Sequence, residues 1–355
     1  MPILRFNVQY LCNILTVFCI SISPRFAEAY SDVESRKPFP GSYNGRMRDT
    51  GKIAGATTSQ EDRRGIAAGV FCYALWGLLP IYWKLLGEVS PFEVVAHRVI
   101  WCFATTFLIC LVLRLGLKDL LKQPRAWRFL APAAIIVTLN WSIYIYGVSI
   151  DHIVETAIGY YINPLVSILL GLVLFRERLS PLRWAAVALC VVGVTYFTVD
   201  YGQFPWIAIL LALTFGVYGA IKKQGAYPAV PAIAFENVVM VIPAIIFAIV
   251  LAQTTGTHAF AANLDTAHGW YLTVLLVVAG PLTALPLILF AHAANSIPLS
   301  LLGFIQYISP TLSLITGVFI YGEPFTFAHA VCFGCIWAGL ALVSIDAIAS
   351  HGKQG

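Results

Sequence analysis

From Gly65 to residue 346 the chain is an almost unbroken succession of apolar stretches, each roughly 17 to 25 residues long and joined by short polar links. So many segments of that length cannot share one globular core. In lipid, each must satisfy its backbone polar groups internally, which makes it a helix. Ten are expected, near residues 66–86, 92–115, 129–150, 153–175, 182–199, 205–221, 230–252, 269–292, 299–321 and 327–346. Composition agrees: 59% of residues are hydrophobic and 11% charged, whereas a soluble domain is about one-quarter charged. The expected fold class is an all-α membrane protein whose first partner is the lipid bilayer.

The formal net charge of +5 is small and scattered, with no basic arm or interleaved aromatic stripe, so nucleic acid is not an expected partner. The basic residues instead read as a topology signal. Arg63, Arg64, Arg114, Lys118, Lys122, Arg125, Arg128, Arg176, Arg178, Arg183, Lys222 and Lys223 fall on one side if the helices alternate. Asp151, Asp200 and Asp265 fall on the other. By the positive-inside rule this is a multi-pass protein of the inner (plasma) membrane with both termini in the cytoplasm.

Residues 1–64 stand apart as an N-terminal extension. Arg5, the apolar run Val8–Ile22 and Ala27-Glu28-Ala29 imitate a signal peptide, and residues 30–64 have the polar composition of a disordered segment. Cleavage would leave Arg63 and Arg64 outside, against the charge rule. A translation start nearer Met47 is the preferred reading, and the segment is given no function. Residues 347–355 are expected as a cytoplasmic tail.

Cys72, Cys102, Cys110, Cys190, Cys332 and Cys335 lie inside apolar runs. Cys332 and Cys335 have CxxC spacing but no second pair or histidine cluster, so they read as two small residues on one helix face. No disulfide, metal or cofactor is expected. Neither GxxxxGK[ST] nor a GxGxxG after a strand is present, which excludes ATP-driven pumping by this chain alone.

Two stretches repeat one another. "YINPLVSILLGLVLFRERLS" (Tyr161 to Ser180) and "YISPTLSLITGVFIYGEPFT" (Tyr307 to Thr326) align without a gap, sharing Tyr161/Tyr307, Ile162/Ile308, Pro164/Pro310, Ser167/Ser313, Gly171/Gly317 and Glu177/Glu323. Ten helices then divide into two groups of five, 65–199 and 204–346. Five is odd, so the second group is upside down relative to the first. Such inverted repeats are what alternating-access transporters are built from. Thirteen residues of helix span about 20 Å, so a glutamate at one interface puts its proline near mid-bilayer. There Pro164 and Pro310 each remove a backbone donor and free a carbonyl. Prolines are also simply tolerated in membrane helices; it is their paired placement that points to the substrate path.

The run from Leu139 to Val194 resembles the first repeat of the EamA family of the drug/metabolite transporter superfamily. Asn140-Trp141, Gly159-Tyr160, Ile162-Asn163-Pro164-Leu165 and Glu177-Arg178 resemble its RarD branch, as do His97-Arg98 with Trp101. Tyr218-Gly219, Lys222-Lys223, Glu236, Gly303, Gln306-Tyr307-Ile308, Pro310-Thr311 and Gly322-Glu323 continue the match, which covers about residues 65–346. The resemblance implies ten helices and a permease for small organic molecules; members are often labelled chloramphenicol-sensitive proteins.

Polar residues inside spans are costly and mark cavities or partners. His97 and Arg98 lie about two turns into the second helix, Glu236 and Asn237 at a similar depth in the seventh, counted from opposite faces. Headgroup snorkelling or structural pairing would also explain them. Glu236 is the carboxylate clearly inside a span and away from its end, which makes it the candidate for proton coupling; a partner such as Arg98 or Lys84 would make it structural instead. Asn140 and Gln306, both mid-span, are more simply packing devices than ligands. Trp76, Tyr160, Tyr161 and Tyr307 are too deep for an interface belt. With Trp141, Tyr144 and Phe304 they would wall a cavity for an uncharged or amphipathic organic solute. The substrate-path candidates are therefore Trp76, Arg98, Asn140, Tyr161, Pro164, Glu236, Gln306, Tyr307 and Pro310. Asp151, His152 and Glu155 read as a solvated cap, and Glu177 and Glu323 as structural or gate-locking.

The expected function is a secondary transporter for a small organic metabolite or drug-like solute. A non-transporting subunit or receptor on the same fold is the alternative. An intramembrane enzyme ranks lower, because the seven histidines are scattered and no nucleophile–base pair converges at one depth.

Overall fold

The computed structural model describes residues 57–351, apart from 150–152, 256–257 and 323–324. Asp151, His152, Glu323 and the segment 1–56 therefore lie outside the described residues. Within them are ten helices long and apolar enough to cross a membrane, and no strand. They are α1 (Thr57–Leu85), α2 (Pro91–Val112), α3 (Pro124–Ser149), α4 (Ile153–Leu174), α5 (Pro181–Tyr201), α6 (Trp206–Gly225), α7 (Ala229–Thr255), α8 (Ala267–Ser296), α9 (Leu299–Ile320) and α10 (Phe327–His351). A one-turn helix, Leu117–Leu121, joins α2 to α3. The starts follow local chemistry: proline opens α2 and α5, and the Ser180 hydroxyl caps α5 by accepting from the Arg183 amide.

The ninth span is not one helix. It runs as Leu299–Gln306, interrupts at Tyr307, resumes as Ile308–Ile315 and ends in a π-helical turn over Thr316–Ile320. Pro310 explains the position. A missing donor frees the carbonyl four residues earlier, here that of Gln306, so the ladder opens upstream of the proline. Pro164 instead sits within an α4 that remains helical throughout.

Helix pairing obeys a simple exchange rule in which helix n of the first five is equivalent to helix n+5. The pair α4–α6 has its counterpart in α9–α1, α2–α8 in α7–α3, and α1–α8 in α6–α3. The pairs α2–α7, α4–α9 and α5–α10 are their own counterparts. With five alternating helices per half, equivalents run in opposite directions. This is an inverted repeat, and the self-paired helices lie along its pseudo-two-fold axis.

Small residues set the crossings, as expected where lipid offers no hydrophobic drive between helices. At Gly303 of α9, a β-carbon would stand 2.8 Å from the Pro164 carbonyl oxygen and 2.8 Å from Ile168 of α4. Cys332 and Cys335 of α10 pack on Gly193 of α5, where a β-carbon would meet Cys335 at 2.8 Å. That contact uses them as small residues on one face.

Candidate functional site

Lys and Arg gather at one end of the bundle, called here the basic end, and α2 and α7 each carry their interior charge seven residues in from opposite ends. Arg98 is seven residues beyond Pro91, and Glu236 seven beyond Ala229, about 10 Å along each helix axis. The exchange rule makes the two positions equivalents. Their surroundings are very different.

Arg98 is ringed by aromatic side chains, a surround called here its chamber. Its guanidinium lies 4.6 Å from the Trp83 ring centroid and 4.8 Å from that of Trp141, within cation–π range. Its Nε donates to Thr283 Oγ1 of α8 at 3.2 Å. The phenols of Tyr160, Tyr144 and Tyr82 lie within electrostatic reach. Tyr82 is fixed by donating its own hydroxyl to the Leu275 carbonyl. Tyr144 and Tyr160 pack against each other at 6.0 Å, and Tyr160 is 46% exposed beside the charge. Among the described residues no carboxylate lies within 4 Å of Arg98.

Glu236, by contrast, is fully engaged. Lys222 Nζ donates to its Oε1 at 2.6 Å, and Tyr218 donates its hydroxyl to Oε2 at 3.1 Å. Glu236 and Lys222 are 4% and 3% exposed. The partner considered from sequence, Arg98 or Lys84, is replaced by Lys222. The run Lys222-Lys223 reads as loop, yet both residues occupy the last turn of α6. The three-residue link to α7 folds Lys222 back onto Glu236. Lys84 instead sits 3.4 Å over the Tyr321 ring.

An aromatic column leads to Glu236. Trp76 packs on Tyr73, Phe215 and Phe290 at 5.4–5.9 Å, and Phe290 stacks on Tyr218, whose hydroxyl reaches Glu236. Beside the column a small cavity is lined by Val99, Thr138, Trp141, Glu236 and Asn237. Trp141 thus borders both the Arg98 chamber and the space next to Glu236. Asn237 bridges α7 to α2, donating to Cys102 Sγ at 3.2 Å and Thr106 Oγ1 at 3.4 Å.

The remaining candidates serve helix contacts. Asn140 donates to the Leu211 carbonyl at 2.9 Å and Thr214 Oγ1 at 2.8 Å, tying α3 to α6. Gln306 accepts from Ser167 at 3.2 Å, tying α9 to α4. Tyr161 is held edge-on between Phe197 and Phe333, and Tyr307 is buried in the same cluster. The neighbouring Tyr160, rather than Tyr161, faces Arg98. His97 accepts from Trp101 and packs tilted on Phe260 at 4.5 Å, while Glu93 accepts from the Ala259 and Phe260 amides. These residues pin the loop before α8.

Glu177 accounts for the frame of proline, glycine and glutamate in the first repeat. After α4 the chain turns at Arg176, in the left-handed region at φ 53°. The Glu177 carboxylate then accepts from the Leu299 amide at 2.7 Å and the Ser300 amide at 2.8 Å, capping α9 of the other repeat. It fits because Gly171 has no side chain: a β-carbon there would stand 2.6 Å from Glu177 Oε2. Lys223 adds a bond to the Ile297 carbonyl at 2.6 Å and lies 3.8 Å from Glu177. These contacts tie the two repeats together at the basic end.

Tyr82, Trp83 and Thr283 around Arg98, and Lys222 as the partner of Glu236, are the candidate-site contacts that sequence reasoning missed. Trp83 lies near a helix end, where tryptophan is routine. The spacing of Lys222 and Glu236 about a three-residue link was the readable signal for their pairing.

Residues 63–199 and 205–345 match the EamA-like transporter family in two successive copies. An uncharacterized transporter of Vibrio cholerae is 39% identical over 84% of this chain and 98% of its own length. Protein RarD of Escherichia coli is 35% identical over 82% of this chain and 97% of its own. A solved crystal structure superposes with a TM-score of 0.62 over 79% of this chain and 97% of that one, at 20% identity, a likeness of fold alone. The chain belongs to the EamA-like transporter family, among the relatives of the RarD proteins.

Proposed function

We propose that this membrane transporter is a secondary permease that carries a small organic solute across the bacterial inner membrane by alternating access. One observation carries the reading. The two proline-bearing helices α4 and α9 cross on the pseudo-two-fold axis, with Gly303 against the Pro164 carbonyl. The same α4 carries Tyr160 beside Arg98, and contacts between the repeats tie the basic end together, which supports its being the closed face. An inverted repeat has two related arrangements of equal contact pattern, and exchanging them moves the opening from one face to the other. The charge rule orients the basic end to the cytoplasm.

In this reading the solute sits among Arg98, Trp141, Tyr144 and Tyr160, while Trp76 and its column form the floor. Pro164 and Pro310 loosen the helices that must move. Glu236 is the coupling carboxylate, exchanging Lys222 for a proton as the adjacent cavity opens. The test is an uptake screen with the purified chain in proteoliposomes, over amino acids, metabolites and chloramphenicol-like compounds, with and without a proton gradient. Gradient-dependent accumulation of at least one compound is expected. Absence of flux for every compound, in protein that remains folded, would remove the transporter reading.

A further inference from the structure

We infer that Arg98 recognises an acid group, and that the solute taken by this chamber is a small organic carboxylate with a flat, apolar body. The inference deepens the permease reading and rests on it for the chamber's role.

Charge accounting comes first. An arginine is always ionised, and placing it at membrane depth is costly unless it is paired. The described carboxylates are occupied elsewhere. Glu88 meets His268 at 3.0 Å, Glu93 holds two loop amides, Glu177 caps α9, Glu236 holds Lys222 and Asp346 holds Arg183 at 2.8 Å. Asp119, Asp200 and Asp265 are exposed near the bundle ends. The pair of Glu236 and Lys222 is neutral as a unit, so among the described residues Arg98 keeps a positive charge with no carboxylate beside it.

Geometry comes second. Thr283 uses only Nε, and no hydrogen bond to the terminal amino groups of Arg98 is present among the described residues. Those two groups form the fork that matches a carboxylate's two oxygens. Trp83 and Trp141 hold the guanidinium in place, so little freedom is lost when an acid binds. Tyr144 and Tyr160 offer ring faces on which a flat body can lie. A neutral amide of the same body would bury the charge without compensating it.

Matched pairs test this: phenylacetate against phenylacetamide, and 3-phenylpropionate against its amide. Each is titrated against the thermal unfolding midpoint of the full chain in detergent, which reports binding to the folded state. The acids are expected to stabilise at concentrations at least about tenfold below the amides, the scale of one hydrogen bond to a charged group. Arg98→Gln should erase that preference. Arg98→Lys, which keeps the charge but not the fork, should retain a preference for acids at weaker affinity. If no acid binds more tightly than its amide, or if Arg98→Gln keeps the preference, the inference falls. Should Arg98→Gln not fold, full acid affinity in Arg98→Lys overturns it equally. Flux separates the two claims. Acids that bind but never cross a proteoliposome membrane leave the acid site standing and remove the permease. Amides that cross while acids are ignored do the reverse.

Discussion

Glu236 and Lys222 form a buried ion pair, and such a pair resists the loss of one member far more than the loss of both. Removing one strands a charge at a cost of about 3–5 kcal/mol, while replacing both is often nearly neutral. Glu236→Gln alone should therefore lower the unfolding midpoint of the purified protein clearly, because Lys222 stays buried at 3% exposure. The double variant Lys222→Met with Glu236→Gln should recover most of it. Coupling can then be tested in a stable protein. The double variant should lose gradient-driven accumulation yet exchange solute between the two sides. Accumulation that persists would leave the pair purely structural. The limits of sequence reading are plain at this scale. Tyr160 and Tyr161 point about 100° apart on α4, and both faces of that helix are apolar, so no pattern tells which one meets Arg98. Trp83 has the sequence position of an ordinary interface tryptophan, and only the folded bundle brings it against Arg98.

The helices themselves were legible, because a span of given length in lipid leaves the backbone no other way to satisfy itself. Expected and observed limits mostly agree within about five residues, as for 299–321 against Leu299–Ile320, while α1 begins nine residues earlier than expected, at Thr57. Pro164 and Pro310 are alike in sequence, yet only the helix of Pro310 is interrupted, at Tyr307, since a proline acts on the carbonyl behind it, while α4 stays continuous through Pro164. Alanine at Pro164 or Pro310 should restore a donor and stiffen its helix. Normal membrane insertion with much reduced flux is expected for each; unchanged flux in both would make the prolines merely tolerated. Glu177 is the other device of this scale. As a charged cap on α9 it should contribute about 1 kcal/mol. Glu177→Gln should let the basic end open more often. In a cysteine-free background, Ser300→Cys, at a position 2% exposed, should then react faster with a membrane-impermeant maleimide applied from that end. An unchanged labelling rate would reduce Glu177 to a local cap.

For the whole molecule, the exchange rule relates the main helix pairings of one half to those of the other, so orientation decides which face the Arg98 site meets. Arg63, Arg64, Lys118, Lys122, Arg125, Arg176, Arg178 and Arg183 are all near the basic end, whereas Lys84 stands near the opposite one, over Tyr321. The positive-inside rule predicts insertion with the basic end in the cytoplasm, because Lys and Arg flanking a span are retained there. A reporter enzyme active only outside the cytoplasm should therefore be silent when fused after Lys122 and active after Asp265. The Arg98 chamber, nearer the far end, would then be reached from outside. Tyr160→Cys, at a position 46% exposed, should be labelled in intact cells by an impermeant maleimide, and an organic acid that binds the chamber should slow the reaction. An active fusion at Lys122 would turn the molecule over. It would hand the charged cap on α9 to the outer face and reverse the side from which Tyr160→Cys is reached, while leaving the inverted repeat intact.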